Sequence, residues 1–309
     1  MKGRFRVFKA GQLHHIYQRT INGFVIFYSI SDFLVFFTQF CTLARKHKVQ
    51  VLGLCLMYDH IHALIVASSR QEMSSFVQEY TCRFSRRRNE QYNRKGPFFQ
   101  CRFGSAPKSG AKKARTAIAY LYNNPVEKQL CNKAEEFQWC FLKYANCDHP
   151  FSEPLKLYEA SRKMRRAISV IMSRRAMEMP LSYESLTKIS DNLTNDELKQ
   201  LTDFVVTKYN CIDYSALEQF YGDFSSLLTA IHSNTGSEYQ IKEVVDNKSD
   251  KVYRRMQAVI KKMTGYKHIK EVLSLPDDEK RHIAWILSAE TNATIAQISK
   301  FLHIKLDQH

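Results

Sequence analysis

Glycine and proline are scarce, at 10 and 7 of 309 residues. That shortage excludes a collagen-like or low-complexity polymer, which depends on dense Gly and Pro. Long apolar runs are also lacking. The most apolar stretches, Phe24–Ile30 and Val51–Met57, fall well short of the ~20 residues a spanning helix needs. The basic opening Met1-Lys2-Gly3-Arg4-Phe5-Arg6 has no apolar core behind it, so no signal peptide is expected. The 8 Cys stand at 41, 55, 82, 101, 131, 140, 147 and 211, with no Cys-x-x-Cys pair. A zinc ribbon or a thioredoxin-like site is therefore not expected. A reduced cytoplasm, with thiols acting as small apolar residues, is the simplest setting. No internal repeat or heptad run is visible.

Acidic residues are short in one half only. Residues 1–150 hold 23 Lys/Arg against 9 Asp/Glu, net +14, whereas residues 151–309 hold 23 against 21, net +2. A module this basic suits a polyanion, either nucleic acid or an acidic membrane. The bland alternative is a solvated basic face. Aromatic residues interleave with the charge and favour nucleic acid, because bases stack on them. The 44% apolar content is ordinary for globular protein and excludes wholesale disorder. The length suffices for two domains.

The first half reads as α+β. His14–Thr20 alternates as a strand, and Gly23–Phe27 reads as a second short one. A helix capped at Ser31-Asp32 runs to about Lys46, with Phe33, Phe36, Phe37, Phe40 and Leu43 at helical spacing. Strands follow over Val49–Met57 and His60–Val66, and then a helix from about Glu72 to Gln91. Arg102–Lys113 reads as a basic loop, and a helix from about Lys112 is expected to end before Pro125. Pro150 and Pro154 mark a boundary, beyond which the chain reads as helical. The expected division is a domain over 1–150, a basic linker helix over 151–180 and a helical accessory domain over 181–309. Helix starts are read at Ser182, Thr194 and Asp277.

The sharpest local signal is Met57-Tyr58-Asp59-His60-Ile61-His62. Residues i and i+2 of a strand share a face, so His60 and His62 project together as a pair of metal ligands. Most His-x-His pairs bind nothing, and the bland reading is two packed imidazoles. A second signal is Tyr120-Leu121-Tyr122-Asn123-Asn124-Pro125. Helix geometry places Tyr120 and Asn124 on one face. The bland reading is a core tyrosine followed by a C-terminal asparagine. Together the signals supply what phosphodiester cleavage by a tyrosine requires: a nucleophile, a Lewis acid and a basic track for the strand.

At these residues the chain resembles the single-tyrosine HUH transposases, in particular the REP-associated tyrosine transposases and their insertion-sequence relatives. The resemblance covers roughly residues 10–145. It rests on His15-Ile16-Tyr17-Gln18-Arg19-Thr20, His60-Ile61-His62, Tyr80-Thr81 with Phe84, Gly96-Pro97-Phe98-Phe99-Gln100 running into Arg102-Phe103, Tyr120–Val126, and Trp139. It implies an N-terminal HUH domain with a central antiparallel sheet flanked by helices, followed by an all-helical domain. It implies Mg²⁺ or Mn²⁺ on His60 and His62, with Asn124 as third ligand and Tyr120 as nucleophile. Tyr122 is the rival nucleophile, about 200° around the helix from Tyr120. The implied partner is single-stranded or hairpin DNA, cut through a 5′-phosphotyrosine and rejoined. Where the family commonly has Pro-Asn before the first His, this chain has Tyr58-Asp59. Asp59 is either a turn residue or an orienting partner for an imidazole.

Arg83, Arg86 and Arg87 share a helix face and are candidate phosphate contacts, as are Lys108, Lys112, Lys113 and Arg115 beside the tyrosine. Phe98, Phe99 and Phe103 either stack bases or pack in the core. Thr294–Ile304 resembles the first helix of a helix-turn-helix, yet little chain follows it for a recognition helix, so a remnant or a closing helix is expected. The expected setting is cytoplasmic and nucleoid-associated, with no membrane, as monomer or homodimer. Two rivals to the transposase reading stand beside it. One is a non-catalytic HUH-fold binder of nucleic-acid hairpins. The other is a regulator built on the C-terminal helices.

Overall fold

The structure is a computed structural model that describes residues 7–100, 103–233, 250–266 and 269–306. Four strands form one antiparallel sheet in the order β2-β3-β1-β4: β1 Leu13–Arg19, β2 Gln50–Leu56, β3 His60–Val66 and β4 Gly104–Pro107. Three helices cover it: α1 Ile30–Lys46, α2 Arg70–Gln91 and α3 Ala111–Glu127.

The register fixes the faces. Tyr17 stands opposite His62 and Arg19 opposite His60, so His15, Tyr17, Arg19, His60 and His62 share one face. On the other face Gln18 reaches Thr81 of α2. α1 and α2 thus pack on one side of the sheet and α3 on the other. The N-cap of α1 is Ser29 and not the expected Ser31, and it forms a capping box with Asp32. That helix is buried on nearly every side. Phe36 meets Tyr80 and Phe84 of α2 edge-on, while Phe33 stacks on Trp139 at 4.2 Å and Phe37 on Phe141 at 4.3 Å.

The remaining described helices are α4 Arg162–Ala176, α5 Tyr183–Ser190, α6 Asn195–Tyr209, α7 Tyr214–Glu218, α8 Phe224–His232, α9 Lys251–Thr264, α10 Ile269–Leu273, α11 Asp277–Glu290 and α12 Ile295–Leu302. α5 and α6 lean on α1, and α8 leans on α3. The end of α12 closes against residues 23–28: Val25 N–H donates to the Lys300 carbonyl and Tyr28 Oη to that of Phe301. Among the described helices none is long and apolar enough to cross a membrane.

Three local expectations need correction. Gly23–Phe27 is not a strand. Ile21–Gly23 is a 3₁₀ turn, and the amides of Ile26 and Phe27 donate to the Tyr58 carbonyl rather than to a ladder. The loop expected from Arg102 contains β4, an edge strand paired to β1. Gly104 is required there, because a Cβ at that position would stand 1.9 Å from the Tyr17 ring. Pro125 does not end α3, which continues to Glu127. The helix N-cap residues Ser182 and Thr194 are as expected, each accepting from the backbone three residues on.

Candidate active site

β3 carries His60 and His62 side by side, their rings 4.9 Å apart and nearly perpendicular. Each imidazole is held through Nδ1. His60 Nδ1 lies 2.6 Å from Asp59 Oδ1, and His62 Nδ1 lies 2.9 Å from His15 Nε2. With both Nδ1 atoms engaged, both Nε2 atoms are left for a further partner. His62 Nε2 is buried and has no hydrogen-bond partner. The structure thus gives Asp59 an orienting contact to His60, the second of its two expected roles.

Burial keeps His15 and His62 neutral. Burial, with the charge of Lys108 adding to it, pushes His15 down to about 3. Burial also drives His62 well below the usual histidine range, aided by His60, His15 and Arg19. A neutral imidazole is the form that ligates metal.

α3 lies across this face. Tyr120 meets the ring of His62 edge-on at 5.6 Å and that of His15 at 5.7 Å. Asn124, one turn later, donates its Nδ2 to the Tyr120 carbonyl, which leaves Oδ1 as its donor atom toward a metal. Tyr122 points elsewhere. It is fully buried, and its hydroxyl lies 3.5 Å from the Leu52 carbonyl.

Two imidazole nitrogens and an amide oxygen suit a divalent ion of intermediate hardness such as Mn²⁺, and the partnerless Nε2 of His62 fits that use. Among the described residues no cluster of three or more His, Cys, Asp or Glu stands ready for a metal. The set therefore depends on the asparagine.

The basic candidates divide between the two sides. Lys112, Lys113 and Arg115 are exposed on the first turns of α3, and Lys108 precedes them. The charge of Lys108 is felt at His15, whose ring meets Tyr120. Arg83, Arg86 and Arg87 lie on α2, across the sheet from Tyr120. Arg83 pairs with Glu79, and Arg87 donates to the Leu181 carbonyl. Phe98 and Phe99 are buried.

Three groups at this face escaped sequence reasoning. His15 and Arg19 were within reach, since strand alternation from His15 through Tyr17 to Arg19 marks one face. Asp250 was not. It arrives from the start of α9, where its amide donates to the Lys128 carbonyl. Its Oδ2 is buried with no hydrogen bond. Burial and the nearby Asp59 push its carboxyl up, against the pull of Lys128, His60 and Lys300. Burial would raise Asp59 as well, but His60, Lys300 and Lys128 hold it below the usual carboxylate range.

Comparison with known families supplies the context. The family model described as "Transposase IS200 like" matches residues 26–124. Residues 26–124 are thus similar to the IS200-like transposases. That segment runs from the approach to α1 through Asn124 and includes His60, His62 and Tyr120. A solved REP-associated tyrosine transposase bound to a REP hairpin aligns over 45% of this chain and 81% of its own, at 15% identity and a TM-score of 0.40. No curated protein matches the chain. The N-terminal part has the α+β arrangement expected, with helices on both faces of its antiparallel sheet and a helical C-terminal part after it.

Proposed function

We propose that the N-terminal part is a single-tyrosine transposase that cleaves and rejoins single-stranded DNA beside a hairpin, with Tyr120 as nucleophile. The observation that carries this reading is the packing of Tyr120 against the His15–His62 pair, beside His60 and on the turn before Asn124. The Tyr120 oxygen attacks the scissile phosphorus and loses its proton, the bond from phosphorus to the 3′ oxygen breaks, and that oxygen leaves as a hydroxyl. A 5′-phosphotyrosine results, and attack by a second 3′-hydroxyl reverses the step and joins the strands.

His60, His62 and Asn124 would hold the divalent ion. When bound, the ion would supply Lewis-acid stabilisation of the scissile phosphate. Asp59 and His15 engage Nδ1 of the two imidazoles, which leaves Nε2 as the ligand atom of each. Lys108, Lys112, Lys113 and Arg115 provide charge for the strand on the side of Tyr120. Arg83, Arg86 and Arg87 serve strand or duplex that wraps past the sheet.

The test is covalent capture. The protein is incubated with hairpin-bearing single strands in Mn²⁺ or EDTA and resolved on a denaturing gel. Tyr120→Phe and Tyr122→Phe run alongside. The expected result is a metal-dependent adduct that Tyr120→Phe abolishes and Tyr122→Phe retains. Strand binding without capture by the parent protein would favour a non-catalytic hairpin binder, and loss of the adduct only in Tyr122→Phe would overturn the choice of nucleophile.

A further inference from the structure

A second polar cavity, of about 200 Å³, opens where the end of α2 meets the C-terminal helices. Its floor is Arg88, 1% exposed. The guanidinium nitrogens Nε, Nη1 and Nη2 of this residue are all buried with no hydrogen-bond partner. A buried cation with its donors unmet is costly and calls for an explanation. Asp32 supplies only part of one. Its Oδ1 stands 4.0 Å from Arg88 Nη1, beyond hydrogen-bond reach. The Asp32 carboxylate is already taken up by the amides of Tyr28 and Ser29, the Ser29 hydroxyl, and the phenols of Tyr92 and Tyr183. It offsets one charge and accepts none of the guanidinium's hydrogen bonds.

Two further cations line the cavity. Arg94 comes from the turn after α2 and Lys280 from α11. Lys280 is buried, and among the described residues it forms no ion pair. Arg88, Arg94 and Lys280 stand against Asp32 and against Asp277, whose charge is felt at Lys280, and one positive charge is left over. Tyr92, Phe98 and His303 form the walls. The Tyr92 ring faces the Arg88 guanidinium at 3.8 Å and leaves its edge donors for another group.

We propose that this cavity is a phosphate-binding pocket, with Arg88 at its floor and Arg94 and Lys280 at its mouth. The planar guanidinium is suited to phosphate oxygens, and the surplus charge matches a phosphate anion. The phosphate is carried either by a nucleic-acid strand or by a small free anion, and both present the same oxygens. The pocket does not depend on the chemistry assigned to Tyr120.

Calorimetric titration of the full chain tests this, in EDTA at low salt and with Tyr120→Phe in the background so that no strand is cut. The probes are inorganic phosphate and a short oligothymidylate with a 5′-phosphate or a 5′-hydroxyl. Binding is expected to weaken about 10-fold or more in Lys280→Met and in Arg94→Met, to persist in Lys280→Arg, and to be unchanged in Lys188→Met on α5. A preference for either oligonucleotide over inorganic phosphate, lost in the same variants, assigns the pocket to a strand. Equal binding of inorganic phosphate and the 5′-phosphorylated strand assigns it to a free anion. The proposal fails if no probe binds, or if Lys280→Met and Arg94→Met bind as the parent does. Thermal melting of each variant separates a lost contact from a lost fold.

Discussion

On the side of α1 and α2, the sheet and its helices build a closed apolar layer in which Phe27, Phe36, Phe40, Tyr80 and Phe84 meet ring to ring. On the side of α3, the same β1 and β3 present His15, Tyr17, Arg19, His60 and His62. Both layers are buried, and the second brings the unpartnered Nε2 of His62 to the face beneath α3. Strand alternation lets one pair of strands serve both, with odd and even positions answering to different demands. The apolar side contributes stability through packing. The polar side leaves bonding capacity open, which is what a binding or catalytic face needs.

The largest expected effect breaks the apolar side. Phe36→Ala removes a fully buried ring between α1 and α2 and should cost ~3–5 kcal/mol, read as a lower urea midpoint. His62→Ala is the counterpart on the polar side. It should lower capture of cleaved strand by ~100-fold or more, with a smaller loss of stability than Phe36→Ala. If His62→Ala unfolds the protein as readily as Phe36→Ala, the division of labour between the faces is wrong.

Much of this arrangement was legible in the sequence because its causes are local. β3 has the bounds that its apolar run and flanking Asp59 suggest, and the capped starts of α5 and α6 follow from serine and threonine three residues ahead of their partners. What was hidden depends on distant chain. β4, with the sequence Gly-Ser-Ala-Pro, has neither β-branched residues nor apolar alternation, and pairing to β1 alone makes it a strand. The extended stretch at 24–27 looks like a strand, but its amides turn to Tyr58 and Lys300. At the site, the His60, His62, Tyr120 and Asn124 spacing could be read directly. The hydrogen bond from His62 to His15 required the β1–β3 register, and the approach of Asp250 required the packing of α9.

A smaller effect probes how the polar face is held open. Gly104 lies beneath the Tyr17 ring with no room for a side chain. Gly104→Val should cost ~1–3 kcal/mol by forcing the ring aside. Adding Tyr17→Ala should return part of that loss, because the second change vacates the space the first one needs. A double variant no more stable than Gly104→Val would mean that β4 is limited by its backbone and not by the ring above it.

The smallest effect concerns a histidine whose Nε2 is already engaged. His303 stacks on Phe24 at 4.5 Å, and its Nε2 lies 2.9 Å from both the Val25 carbonyl and Tyr28 Oη. Burial, joined by Arg88, Arg94 and Lys280, pushes it down to about 3, while the Val25 carbonyl pulls it up. In the unfolded chain it titrates near ~6.5. Between those values the unfolded state binds the extra proton, so this residue's contribution to stability is complete above ~6.5 and is lost as pH falls toward about 3. Arg88, Arg94 and Lys280 stay protonated throughout that window, and the other histidines are common to both proteins under comparison. Urea unfolding at pH 7 and pH 5 should therefore show a smaller acid loss in His303→Gln than in the parent. Equal losses would mean that His303 accepts a proton in place, and that the contact between residues 23–28 and the end of α12 tolerates a charge the histidines beneath α3 are built to avoid.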